Sequence, residues 1–222
     1  MTDHLAPHSI HVIGQPLLVP VTNIYCIGRN YAEHARELGN AVPTEPILFL
    51  KSVSSLRALG GGDLAYEDET FHHEAELVLL VGQVVPRGSS VGWEVLQAVG
   101  LGIDLTRREV QTQLKAQGLP WTAAKSFAGS SLLSAFIEPS ELPDYNSITF
   151  TFSVHGQLRQ QGDTALMLNS VPALLTHIAK AHDLVPGDLV FTGTPAGVGP
   201  LRRGDAFTLE FTQIAKSFSG RL

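Results

Sequence analysis

A β-rich α+β fold is what this sequence predicts, and three observations carry the expectation. Short apolar runs bounded by turn formers recur along the chain, the pattern of strands. Glycine (21) and proline (13) are plentiful, which supplies the turns such a fold needs. Long stretches of helical periodicity are few. The length of 222 residues suits a single main domain with a sizeable core. The expected division is an N-terminal arm or edge strand over 1–20 and one domain over 21–222.

Composition excludes several classes. A hydrophobic fraction of 44% with 16% charged residues is that of a compact globule, not a disordered chain. Net charge is −6 without a basic stripe, which argues against a nucleic-acid partner. Cys26 is the sole cysteine, so no internal disulfide is expected and a reducing compartment fits. It lies in Ile24-Tyr25-Cys26-Ile27 and reads as a buried structural thiol. The first thirty residues lack a basic start followed by a long apolar core, so no secretion signal is expected. No apolar run approaches the roughly 20 residues that span a bilayer. The expectation is a soluble, cytoplasmic protein without a membrane partner.

In chain order, His4, His8 and His11 fall in a solvated arm, because nothing sets their spacing. After the strand Ile24–Ile27, Asn30 is expected to cap a short helix, with Glu33 closing a capping box and Gly39 as its left-handed stop. Tyr31, Ala35 and Leu38 form its inward stripe. His34 and Glu37 are helix-surface neighbours, and a carboxylate beside an imidazole suits a general base. Pro46–Lys51 reads as a buried strand ending in a lysine. Residues 52–70 read as loop, with Gly60-Gly61-Gly62 and a solvated acidic rim at Glu67-Asp68-Glu69.

The centre of the chain is Phe71-His72-His73-Glu74-Ala75-Glu76, running into the unbroken apolar stretch Leu77–Val81. That stretch reads as a strand buried on both faces. Alternation places Glu74 and Glu76 on one side. Two such carboxylates repel, raising one pKa unless a cation joins them. Ala98–Leu105 is a further apolar strand carrying Asp104 at its carboxyl end. Thr106-Arg107-Arg108-Glu109 reads as a capping box opening a helix to about Gln117, stopped by Gly118 and Pro120. Arg108 and Gln111 are able to face the same way as Asp104, and an arginine there suits a substrate carboxylate. Lys125 stands alone in a small, apolar segment.

Thr149–Val154 alternates, turns at His155-Gly156, and returns as a hairpin. Ser170 is expected to cap a helix through about His182, with Leu174, Leu175 and Ile178 inward. Asp188–Phe191 leads into Thr192-Gly193-Thr194-Pro195-Ala196-Gly197-Val198-Gly199. No Gly-Lys-Ser/Thr follows, so this is not a nucleotide loop; its N–H groups and threonine hydroxyls are expected to meet an anionic substrate. Ala206–Phe211 is the last clear strand.

Five of these motifs, in this order, resemble the fumarylacetoacetate hydrolase superfamily: Gly28-Arg29-Asn30-Tyr31 with His34 and Glu37; His72-His73-Glu74-Ala75-Glu76; Asp104-Leu105-Thr106; Pro120-Trp121 with Lys125; and Thr192-Gly193-Thr194-Pro195 with Gly197-Val198-Gly199. The resemblance covers about Ile24 to Phe211 and is strongest to short, single-domain acylpyruvate and fumarylpyruvate hydrolases. Ser52 departs from it, standing where many relatives have proline. The resemblance implies a mixed β-sandwich roll with short peripheral helices and a homodimer. It implies Glu74, Glu76 and Asp104 as ligands of Mg²⁺ or Mn²⁺, whose preference for hard oxygen agrees. It further implies His34, Glu37 and Lys125 as catalytic groups, with Arg29, Arg108, Gln111 and Thr194 binding a small 2-oxo acid. His73 is left with a supporting place.

The activity so implied is metal-dependent hydrolysis of a 3-acylpyruvate, such as acetylpyruvate or fumarylpyruvate, to pyruvate and a carboxylic acid. His34, oriented by Glu37, would activate the water. Decarboxylation or keto–enol tautomerisation of oxaloacetate at the same site is the alternative, and a non-catalytic metal-binding protein is the alternative of another class.

Overall fold

The centre of the structure is the strand Ala75–Val81, every residue of which is buried. Its side chains divide by alternation. Leu77, Leu79 and Val81 enter one apolar core, while Val78 and Leu80 enter a second on the opposite face. Each buried leucine or valine contributes about 1.5–3 kcal/mol, so both cores are anchored on this strand. The computed structural model describes residues 8–59, 64–66 and 68–222. His4, Gly60-Gly61-Gly62 and Glu67 lie outside the described residues.

In chain order the elements begin with β1 (Ser9–Ile10), β2 (Val19–Pro20), β3 (Ile24–Gly28), α1 (Ala32–Glu37), β4 (Ile47–Lys51) and β5 (Leu56–Ala58). They continue with β6 (Phe71–His73), β7 (Ala75–Val81), β8 (Leu96–Asp104), α2 (Arg108–Ala116), α3 (Thr122–Lys125) and β9 (Ser131–Leu133). The remainder are β10 (Thr149–Val154), β11 (Gln157–Asp163), α4 (Val171–Ala179), β12 (Leu189–Phe191), β13 (Gly199–Leu201), β14 (Ala206–Phe211) and β15 (Lys216–Arg221). A seven-stranded mixed sheet runs β4-β3-β12-β7-β8-β9-β5, and a four-stranded antiparallel sheet runs β11-β10-β14-β15. Phe150, Phe152, Phe207, Leu209 and Phe211 of the smaller sheet share the first core with α4 and the odd-numbered residues of β7. The seven-stranded sheet curls until the end of its edge strand β4 reaches the segment before β9: Ser52 N–H donates to Ser126 Oγ at 2.8 Å, and Lys51 Nζ donates to Ser130 O at 2.6 Å. This is the β-rich roll with short helices that the sequence predicts.

Curling brings side chains close over β8. A Cβ on Gly102 would stand 2.8 Å from Val78, 2.9 Å from Leu133 and 2.9 Å from Phe191. Overpacking of this kind costs about 1–3 kcal/mol, so Gly102→Ala is expected to lower the denaturant midpoint without changing the slope of the transition. An unchanged midpoint would show that these side chains give way freely.

Several local expectations are corrected. Asn30 does not cap α1; Tyr31 holds that position without a side-chain bond. Asn30 instead donates to Thr192 O at 2.9 Å and accepts from Asn169 N–H at 2.9 Å, tying two distant loops. Thr106 likewise forms no cap, because its backbone is paired with His72 and α2 begins after Arg107. Leu38 is exposed rather than inward. β4 is an edge strand with Leu50 in solvent, not a buried one. Residues 52–70 are not all loop: Leu56–Ala58 pairs in parallel with β9. The helix at Ser170 ends at Ala179, short of His182, and lacks a side-chain cap. The chain also has a strand beyond Phe211, since β15 pairs with β14. In the stretch expected to be solvated, Ile10 and Val12 are buried in the second core.

Candidate active site

Val78 and Leu80 of β7 and Ala98 of β8 share the face of the second core, and towards the start of β7 this apolar face becomes acidic. Glu76 follows Val78 on that face and lies opposite Gly102, while Asp104 N–H donates to Glu74 O at 2.8 Å. Glu74, Glu76 and Asp104 are all buried, and one carboxylate oxygen from each lies within 4.8 Å of the others. Two lysines enter this cluster. Lys125 Nζ is 2.6 Å from Glu74 and 2.7 Å from Asp104, while Lys51 Nζ is 2.6 Å from Asp104. Arg108 pairs with Glu74 and donates to Gln111 at 2.6 Å.

The three carboxyls differ in electrostatics. Burial opposes the charge of Glu74, yet Lys125 and Arg108 outweigh it and hold the group well below the usual range. Burial raises Glu76 far above its ordinary value, and Asp104 and Glu74 push it further. Among the described residues Glu76 shares no ion pair; it accepts a hydrogen bond from Gly193 N–H at 2.7 Å. Gly193 adopts φ +98° and lies so near Asn30 that a Cβ would stand 2.7 Å from it, so this donor position requires glycine. Burial lowers Lys125, but Asp104 and Glu74 more than restore it, so the ammonium stays charged.

His34 is buried in α1, facing the same cleft. Burial pushes its imidazole below the ordinary 6.5, against the opposing pull of Glu74 and Glu37, leaving it neutral near pH 7. His34 Nδ1 lies 3.5 Å from Glu37 Oε2, long for a hydrogen bond. The other Glu37 oxygen accepts from Gly197 N–H at 3.0 Å. Arg29, His34, Glu74, Glu76, Asp104, Arg108, Gln111, Lys125 and Thr194 all line one cleft, and Glu37 stands behind His34. Nine of the ten expected site residues therefore line the same cleft.

Thr194 has a different occupation from the one expected. Its hydroxyl donates to Ala75 O at 2.9 Å and accepts from Gln160 Nε2 at 2.8 Å, so its proton is committed to the frame. Gln160 also accepts from Ala75 N–H at 3.0 Å and lies 2.9 Å from His73 Nδ1, making it the tie between hairpin and site. Sequence reasoning missed Gln160, which sits in a polar run without any local mark. It also passed over Lys51, although a charge closing an apolar strand was the available signal. The acidic rim is partly confirmed: Glu69 pairs with Arg107 at 2.5 Å on the surface.

The triad fits a divalent cation. Its donors are hard oxygens, they converge from β7, β8 and the residue just before β7, and the burial and neighbouring carboxyls that oppose ionisation of Glu76 are what a cation would offset.

This curled sheet with its acidic cleft places the chain in the fumarylacetoacetate hydrolase family: residues 23–218 match the fumarylacetoacetate (FAA) hydrolase C-terminal model. Among its relatives, the oxaloacetate tautomerase YcgM of Escherichia coli is 41% identical over 202 residues, covering 89% of this chain and 92% of that one. The mitochondrial oxaloacetate tautomerase FAHD1 of Bos taurus is 40% identical over 186 residues, covering 82% and 84%. A solved fumarylpyruvate hydrolase from Pseudomonas aeruginosa, in complex with Mn²⁺ and pyruvate, superposes with a TM-score of 0.86. It is 30% identical, with 97% of this chain and 95% of that chain covered. Among the described residues no helix is long and apolar enough to cross a membrane.

Proposed function

We propose that this protein interconverts the keto and enol forms of oxaloacetate, with a Mg²⁺ or Mn²⁺ ion held by Glu74, Glu76 and Asp104. The reading that began from acylpyruvate cleavage gives way here to its alternative. The relatives at about 40% identity are named for oxaloacetate tautomerisation, and that reaction asks less of the site. It needs one base to move a proton at C3 and a cation to meet the charge left on the 2-oxo oxygen.

The observation that carries the proposal is a neutral, buried imidazole sharing a cleft with a charged, buried ammonium. His34 takes the C3 proton and returns it to oxygen or carbon. Lys125 places positive charge where the enolate oxygen develops. Arg108, steadied by Gln111, grips a carboxylate. Glu74, Glu76 and Asp104 would hold the divalent cation, which would supply Lewis acidity to a 2-oxo acid in the cleft.

Hydrolysis of a 3-acylpyruvate is the second reading. It is favoured by the approach of Glu37 to His34, which would help activate water, and by likeness to the fumarylpyruvate hydrolase. The two are separated by giving the Mg²⁺-loaded protein oxaloacetate and acetylpyruvate side by side. Accelerated keto–enol equilibration without CO₂ release, abolished by EDTA, is the expected result. Release of pyruvate and acetate from acetylpyruvate, with oxaloacetate untouched, would overturn it in favour of hydrolysis.

A further inference from the structure

We infer that Lys115, together with Arg29, forms the subsite for the far carboxylate of a four-carbon dicarboxylic 2-oxo acid, making Lys115 a specificity-determining residue. The inference rests on the proposed oxaloacetate reading and assigns that substrate's second charge to named groups.

The cleft is lined by three acids, Glu74, Glu76 and Asp104, and by four permanent cations, Arg29, Arg108, Lys115 and Lys125. Lys125 and Arg108 are matched with carboxylates of the triad. Arg29 and Lys115 are not. Among the described residues Lys115 Nζ is held by a neutral partner, Asn40 Oδ1, at 2.9 Å. Arg29 makes no hydrogen bond or ion pair among the described residues. With Lys51 paired to Asp104 just behind the lining, five cations meet three carboxyls, so positive charge is two in excess, and a divalent cation raises the excess to four. A monoanionic substrate leaves three of those charges unmet, whereas a dianion leaves two.

Position supports the same reading. Arg29 follows β3 with φ +58°, a left-handed conformation that a non-glycine residue holds at some cost. Lys115 projects from the last turn of α2, the helix that also carries Arg108 and Gln111. Arg29 and Arg108 are near enough to Lys115 to depress its pKa, after the larger effect of partial burial. Three cations gathered around an open space repel one another, so the cluster is costly unless an anion joins it. The bond to Asn40 sets the ammonium beside the segment that follows α1.

The test uses stable ligands, so that binding is read apart from turnover. Malate and lactate share a carboxylate and a neighbouring oxygen for the cation, and differ by the far carboxylate. Calorimetric titration of the Mn²⁺-loaded protein should show malate binding at least about tenfold tighter than lactate, the scale of a charge-assisted contact. Lys115→Met should narrow that gap severalfold, Arg29 remaining, while leaving lactate unchanged, and Lys115→Arg should restore most of it. The KM for oxaloacetate in Lys115→Met should rise by a similar factor with kcat little changed. Lys115 is solvent-exposed on its helix, so the variant is expected to fold. Equal loss for both ligands, or loss for neither, would overturn the subsite. A Lys115-dependent preference for malate in a protein that fails to equilibrate oxaloacetate would keep the subsite and remove the proposed reaction.

Discussion

Replacing His34 by alanine is expected to lower kcat for oxaloacetate equilibration by between about one hundred and ten thousand-fold, the range for loss of a general base. Affinity for Mn²⁺ should remain, because Glu76 and Asp104 lie on β7 and β8, Glu74 lies at the junction of β6 and β7, and the imidazole belongs to α1. A calorimetric titration beside the rate measurement separates the two effects. Loss of metal binding in His34→Ala would place the imidazole among the ligands and refute its role as base. The pH profile follows from the same geometry. Burial depresses the folded pKa of His34 below 6.5, so activity should be level near neutrality and fall only as pH drops through that lowered value. Because Glu37 pulls the pKa upward, Glu37→Gln should move the acid limb lower still. An acid limb well above pH 6.5 would count against this assignment.

The second large effect lies at Glu76. Glu76→Gln should cut divalent-cation affinity by at least about a hundredfold, since even groups one step removed from a metal cost 10- to 100-fold when lost. Activity should fall with it. The same change should stabilise the metal-free protein. Glu76 has a folded pKa raised above its ordinary 4.5, so its protonated form is favoured by folding. That contribution is present at low pH and disappears as pH rises from the unfolded value through the folded one. Above this window ionised Glu76 opposes folding, and an isosteric amide removes the opposition while still accepting from Gly193 N–H. A gain of about 1–2 kcal/mol, or roughly 2–8 °C in Tm, is expected without metal. Mg²⁺ should raise the Tm of the natural protein and leave Glu76→Gln unmoved. A variant less stable than the natural protein without metal would show that the carboxylate is satisfied in some other way.

Alternation along 74–81 was enough to place both glutamates on one face, because Glu74 directly precedes β7 and that strand is buried along its whole length. Asp104 was equally legible, as a charge closing an apolar strand. Joining these residues depended on family likeness, since nothing local states that β7 pairs with β8. The failures have a common cause. Asn30 and Thr106 are good caps by type, but long-range bonds to Thr192, Asn169 and His72 claim them first. Lys51 entered the site only because the sheet curls, and Gln160 because a hairpin folds over it. β4 was misread as buried because an apolar run gives no sign of lying at a sheet edge.

The contrast between the two ends of β7 carries a consequence for assembly of the sheet. From Leu77 to Val81 both faces are aliphatic, so sliding the strand by one residue would exchange one greasy surface for another and meet little resistance. At the other end the same slide would drive Glu76 into the aromatic core and set a bulky side chain against the narrow space over Gly102. A one-residue shift turns every side chain to the opposite face, and here only the carboxylates and the glycine object. The residues assigned to chemistry are therefore also the alignment mark by which the central strand finds its place.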